Sequence, residues 1–107
     1  VISFQADGAA LYTLQALWTQ ARERLNVITL ICSNRSYDIL RLELARLGVF
    51  QPGPSASRLT DLSGVDWVRA GEGMGVPSVS VRTAEDLARE FSQALDEKGP
   101  RLIEMVL

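Results

Sequence analysis

Two oxygen-bearing side chains, Asp7 and Asn34, stand 27 residues apart, each just past a short apolar run. One strand-helix-strand crossover has about that length, and neighbouring parallel strands joined in this way end on one rim of the sheet, where ligands of open α/β sheets bind. A carboxylate and an amide oxygen are hard donors of the kind Mg²⁺ selects. That ion takes few ligands from protein and the rest from phosphate and water. A backbone carbonyl in the loop after Asn34 could supply a third donor. Gly8 and Ala9 open the helix that follows Asp7, so their N–H groups point towards an anion at the helix start. Metal-bridged phosphate is the guest this set would take. Asp-Gly alone is a common turn and Asn alone a common loop residue, but spacing, strand ends and helix start agree for the pair.

The elements that must position them read as alternating strands and helices. Residues 1–4 form a short apolar strand stopped by Ala6-Asp7-Gly8. Leu11, Leu14, Leu17, Trp18, Ala21 and Leu25 recur at spacings of three and four, the stripe of an amphipathic helix that Asn26 ends. Residues 27–32 are continuously apolar, as strands buried on both faces are. After the polar loop at 33–36, Ile39, Leu40, Leu42, Leu44 and Leu47 populate one side of a second helix, with Gly48 as its stop. Residues 51–57, rich in Pro, Gly and Ser, predict an exposed loop. A short helix is expected at 66–73 and a strand at 78–81. Thr83 to Asp86 has the form of a capping box with Asp for Glu, and it opens a helix carrying Ala84, Leu87, Phe91, Ala94 and Leu95 on its apolar side. Gly99-Pro100 closes that helix before a last strand at 102–107. The order predicts an α/β fold, a three-layer doubly wound parallel sheet, in one domain over residues 1–107.

Composition removes several chemistries. The 107 residues are 47% hydrophobic and 22% charged with net charge −2, which fits a folded globular domain and gives no basic face for nucleic acid. Arg22 and Arg24 form a close basic pair, but Glu23 lies between them. There is no His, hence no Ser-His-Asp triad and no His-ligated zinc. The single Cys32 excludes an internal disulfide and suits a reducing compartment; its place in an apolar run marks a buried thiol rather than a nucleophile. No run approaches the roughly 20 apolar residues of a membrane span. Gly71, Gly73 and Gly75 lack the preceding strand and the spacing of a dinucleotide loop. Trp18 and Trp67 are expected in the core or at a subunit contact. The opening Val-Ile-Ser-Phe-Gln begins inside a strand, without Met or a basic leader, and reads as a cut within a longer protein.

Ala6-Asp7-Gly8 followed by Ser33-Asn34-Arg35-Ser36-Tyr37 resembles the motif with which thiamine-diphosphate enzymes hold the cofactor's diphosphate through Mg²⁺: Gly-Asp-Gly, 25 to 30 residues, then Asn-Asn or a single Asn. Residues 12–19 are similar to a helix of the acetolactate synthase and benzoylformate decarboxylase group, and residues 99–106 to the family's closing strand. What the resemblance implies is a C-terminal, diphosphate-binding domain. Asp7 and Asn34 would be the side-chain metal ligands, and Ser36 would give its backbone carbonyl. Gly8, Ala9 and Ile39 would offer amides to the diphosphate, and Leu40 would line the substrate pocket. It further implies a cytoplasmic decarboxylase or carboligase of 2-oxo acids, most like the acetolactate synthase large subunit, working as a homodimer or homotetramer. A Glu from a pyrimidine-binding domain, usually of another subunit, activates the cofactor in that family; no residue here matches it, so the fragment alone is expected to be inactive, with no catalytic residue of its own. Ala6 and Ala9 depart from the family's Gly and Ser. A Cβ at position 6 is tolerable only if φ is negative, and position 9 loses a hydroxyl. Two other readings stay open: a non-catalytic interaction or regulatory domain that keeps the fold, and a flavodoxin-like anion-binding module, which the lone Lys98 at a helix end disfavours.

Overall fold

Ile2, Phe4 and Ala6 alternate with Ser3 and Gln5, and the run forms strand β1 (Ile2–Ala6), which ends two residues beyond the apolar run alone. Strand β2 (Ile28–Ser33) is buried almost throughout, as a continuously apolar strand should be. Strands β3 (Ser78–Val81) and β4 (Arg101–Val106) complete a four-stranded sheet of order β1-β2-β4-β3, parallel in every pair. The computed structural model describes residues 1–49, 51 and 53–107. Helices α1 (Asp7–Ala10), α2 (Ala16–Arg22), α3 (Asp38–Arg46), α4 (Pro54–Leu59), α5 (Trp67–Gly73) and α6 (Ala84–Asp96) connect the strands. No helix among the described residues is long and apolar enough to cross a membrane.

Side chains alternate across a strand, and the two faces of this sheet carry separate cores. Ile31 and Leu102 point to one face and pack with Ala10, Leu17, Trp67 and Val76. Ile28, Leu30, Val81 and Ile103 point to the other and pack against Ala94, with Leu87 and Phe91 of α6 beside them. The result is the expected three-layer, doubly wound arrangement. On the first face α5 lies so close to β3 that a Cβ on the buried Gly71 would collide with the Ser78 hydroxyl. Thr83 caps α6 as the sequence indicates: its Oγ1 accepts from the Asp86 N–H at 3.1 Å and donates to the Asp86 carboxylate at 2.9 Å.

Three elements differ from the sequence reading. The helix expected to carry the stripe from Leu11 to Leu25 is broken into α1, a 3₁₀ turn (Leu11–Thr13) and α2, which stops at Arg22. Arg24 turns left-handed at φ 50°, leaving Leu25 beyond the helix and exposed. Trp18 is 51% exposed and belongs to no core; the Arg22 guanidinium carbon sits 4.4 Å from its ring centroid, a cation–π contact on the surface. Part of the loop expected at 51–57 is helix α4, whose first residue is Pro54, where a fixed φ and a missing N–H cost nothing; Pro52 lies outside the described residues, as does Phe50. Helix α3 forms where expected and stops before Gly48, at φ 84°. Its apolar side is nevertheless exposed: among the described residues no layer covers Ile39, Leu40, Leu42 or Leu47.

Candidate functional site

The last paired residues of β1 and β2, Ala6 and Cys32, lie side by side. Asp7 is therefore delivered one residue past the end of β1 and Asn34 one residue past the end of β2, on one rim. Asp7 is only 2% exposed. Its Oδ2 accepts from the Arg35 N–H at 2.7 Å and its Oδ1 from the Gly8 N–H at 2.8 Å. The Arg35 bond spans the two strand ends and fixes the carboxylate beside the residue that follows Asn34. Arg35 makes this bond from a left-handed backbone, φ 58°. Non-glycine residues adopt that conformation rarely, and here it costs on the order of 1 kcal/mol that the surroundings must offset.

Those surroundings are specific. Asn34 is exposed; its Oδ1 accepts from the Ser36 N–H at 3.1 Å, an Asx turn, while its Nδ2 donates to Asp38 at 2.9 Å. Ser36 is buried and donates its hydroxyl to the Thr60 carbonyl at 3.1 Å. The Tyr37 N–H donates to the same carbonyl at 2.9 Å, and the Leu62 N–H donates to the Arg35 carbonyl at 2.9 Å. Residues 35–37 are thus clamped by 60–62 through an antiparallel bridge between Ser36 and Asp61. Nothing in the polar run Thr60-Asp61 marks this clamp in the sequence, because its bonds are to main-chain atoms. A Cβ on Gly8 would lie 2.5 Å from two ring carbons of Tyr37, so the glycine of Asp-Gly is required for the ring to lie over α1.

Other expected residues fall as follows. The Gly8 N–H donates to the Asp7 carboxylate of its own turn at 2.8 Å. Helix α1 is a single turn running into a 3₁₀ turn, so its dipole is small. Ala9 is exposed on that turn. Ala6 has φ −75° and ψ 151°, extended backbone that accommodates its Cβ without strain. Ile39 is the second residue of α3 and exposed. Leu40 lines a shallow apolar groove of about 330 Å³ with Leu44, Leu47 and Leu59, on the outer side of α3 and α4.

The donors can accept a cation. A carboxylate has about four lone-pair sites, and the two N–H groups on Asp7 leave room at each oxygen; the Asn34 amide oxygen likewise keeps a second lone pair. Among the described residues no three His, Cys, Asp or Glu side chains converge. A cation here would take oxygen from Asp7 and neutral groups and complete its shell from phosphate and water, which is how Mg²⁺ is commonly held. Cys32, beside Ala6 in the register, has its thiol pushed above the usual range by burial first and by the negative charge of Asp7 second. Its thiolate fraction at any pH is therefore below that of a free cysteine. Iodoacetamide at pH 8 should alkylate Cys32 several-fold more slowly than an unstructured cysteine peptide, and replacing Asp7 by Asn should speed the reaction. Equal rates in parent and variant would show that Asp7 exerts no field there.

Residues 1–105 match the family described as "Thiamine pyrophosphate enzyme, C-terminal TPP binding domain". The chain is 47% identical over 110 residues to IlvX of Mycobacterium tuberculosis, whose name assigns it provisionally to acetolactate synthase large subunits; the match covers 100% of this chain and 21% of that protein. It is 34% identical over 105 residues to benzoylformate decarboxylase of Pseudomonas aeruginosa, covering 98% of this chain and 19% of the relative. Among solved structures it superposes with TM-score 0.89 and 35% identity on the thiamine diphosphate-dependent 4-hydroxybenzoylformate decarboxylase of Rhodococcus jostii, over 99% of this chain and 19% of the other. The chain spans about a fifth of the length of the curated relatives it matches.

Proposed function

The chain belongs to the C-terminal thiamine-pyrophosphate-binding domain family of thiamine pyrophosphate enzymes, and from that premise we propose that residues 1–107 are the Mg²⁺-dependent diphosphate-binding part of a 2-oxo acid decarboxylase or carboligase of the acetolactate synthase type. The observation that carries this is the Asp7–Arg35 bond at 2.7 Å, which ties the two strand ends and presents a buried carboxylate beside Asn34. Asp7 and Asn34 hold the metal by their side chains and Ser36 by its carbonyl. Gly8, Ala9 and Ile39 would give N–H groups to the diphosphate. The clamp from residues 60–62 keeps the turn at 34–36 formed in advance, so ordering it is not a cost of binding.

When bound, the cofactor supplies the nucleophilic carbon and electron sink for chemistry at a 2-oxo acid carbonyl. This chain anchors and orients; Leu40 adds an apolar wall on the substrate side. The activating Glu comes from the pyrimidine-binding domain of another subunit, so the working protein is a cytoplasmic dimer or tetramer and the 107-residue chain alone turns nothing over.

Calorimetric titration of the protein with thiamine diphosphate should show saturable binding with Mg²⁺ present and little without it. Asn34→Ala should weaken binding about tenfold or more while lowering stability by only about 1 kcal/mol, since its side-chain bonds are solvent-exposed. Absence of saturation with Mg²⁺ would favour a domain that keeps the fold and has lost the cofactor.

A further inference from the structure

Glu104 sits in the central strand β4 and is 6% exposed, yet no hydrogen bond or ion pair to another described residue reaches its carboxylate. It lies on the same face as Leu102, paired with Ser80 of β3. The two residues form part of the wall of an open cleft of about 710 Å³, a volume in the range of small-molecule sites, whose other walls include Arg35, Asp66, Val68 and Arg69. None of the Glu104 oxygens is shut off without a partner, so its acceptor atoms open into this cleft. Among the described residues neither a donor nor a cation meets this carboxylate, although the residue as a whole is nine-tenths buried. The two cationic side chains at the cleft differ in availability. Arg69 pairs with Asp66 at 3.4 Å, whereas Arg35 is in no ion pair among the described residues.

We propose that this cleft is a binding site for a small zwitterion, a ligand that places an ammonium group on Glu104 and a carboxylate on Arg35, an amino acid being the simplest such molecule. Outside the Asp66–Arg69 pair the cleft carries the exposed Glu72 and two charges of opposite sign on different walls, Glu104 on β4 and Arg35 past the end of β2. A ligand bearing a single charge satisfies one and leaves the other as it was. Ser80 offers a hydroxyl beside Glu104, and Val68 gives an apolar flank. Asp7 and Asn34 take no part, and the site stands whether or not the rim binds a metal.

The test is a titration of the ¹⁵N-labelled chain followed by NMR, with L-alanine and 4-aminobutanoate as zwitterions of short and long charge separation, and n-propylamine and propanoate as single-charge controls. At least one zwitterion should saturate at millimolar concentration, shift the amides of Ser80, Val68 and Glu104, and bind about tenfold or more tightly than either control. Glu104→Gln keeps the shape of the side chain and should abolish that preference. Arg35→Gln, an exposed change, should do the same, so the conclusion does not depend on the buried variant folding. Saturation by neither zwitterion, equal binding of the amine alone, or parent-like affinity in both variants overturns the proposal.

Discussion

Asp7→Ala is expected to abolish Mg²⁺-dependent binding of thiamine diphosphate and to destabilise the fold at the same time. The carboxylate is buried and accepts from the Arg35 and Gly8 N–H groups at 2.7 and 2.8 Å. Hydrogen bonds to a charged group contribute about 1.5–3 kcal/mol each, and donors left buried without an acceptor cost about 1–3 kcal/mol. Allowing for water entering the space, a net loss of about 3 kcal/mol is expected, a fall in melting temperature of roughly 10–15 °C for a domain of this size. The left-handed Arg35 loses the side-chain acceptor of its N–H, so the turn at 34–36 loosens with it. Asp7→Asn separates the two effects. An amide keeps one acceptor and restores part of the stability, but its NH₂ faces a backbone N–H, and the charge that a divalent ion needs is gone. The expected pattern is partial recovery of the melt with no recovery of Mg²⁺-dependent binding, measured well below either melting point. A melt for Asp7→Ala within a degree or two of the parent would show that these two bonds do not hold the rim together.

What the sequence made legible follows from which forces act locally. Strand β2, helix α6 with its Thr83 cap, and β3 were readable because a continuous apolar run, a capping residue and a Gly-Pro stop each act within a few residues. Asp7 and Asn34 were placed on one rim because parallel crossovers put successive strand ends together. Their actual partners were not readable. Asp7 bonds main-chain N–H groups, which every residue but proline carries, and the clamp on Ser36 and Tyr37 comes from residues 60–62 through main-chain atoms. The bond from the Gly8 N–H to Asp7 depends on a distance that spacing does not contain. Helix α3 shows the opposite failure. Its periodicity tells which side is apolar, not what layer covers that side. Trp18 and Trp67 are the same residue type on helices of the same length, seven residues each, and only the tertiary packing separates them.

That separation sets the second large effect. Trp67 is 1% exposed, opens α5 directly after the Asp66 cap, and packs in the core with Leu17, Ile31, Val76 and Leu102. Removing a buried Trp side chain costs about 3–5 kcal/mol in transfer and cavity terms, which is a large part of the roughly 5–15 kcal/mol that holds a domain of this size. Trp67→Ala should therefore leave a substantial unfolded population at moderate urea, while Trp67→Phe, which keeps an aromatic ring in place, should lose about half as much. Trp18→Ala removes a half-exposed ring and one surface cation–π contact with Arg22, worth about 0.5–1 kcal/mol. Because α5 and the segment before it form one wall of the Glu104 cleft, Trp67→Ala should also broaden the amide signals of Val68 and Arg69 before the global transition, and Trp18→Ala should leave them sharp. Equal urea midpoints for the two alanine variants would mean that the cluster around Trp67 is not what binds the helical layer to the sheet.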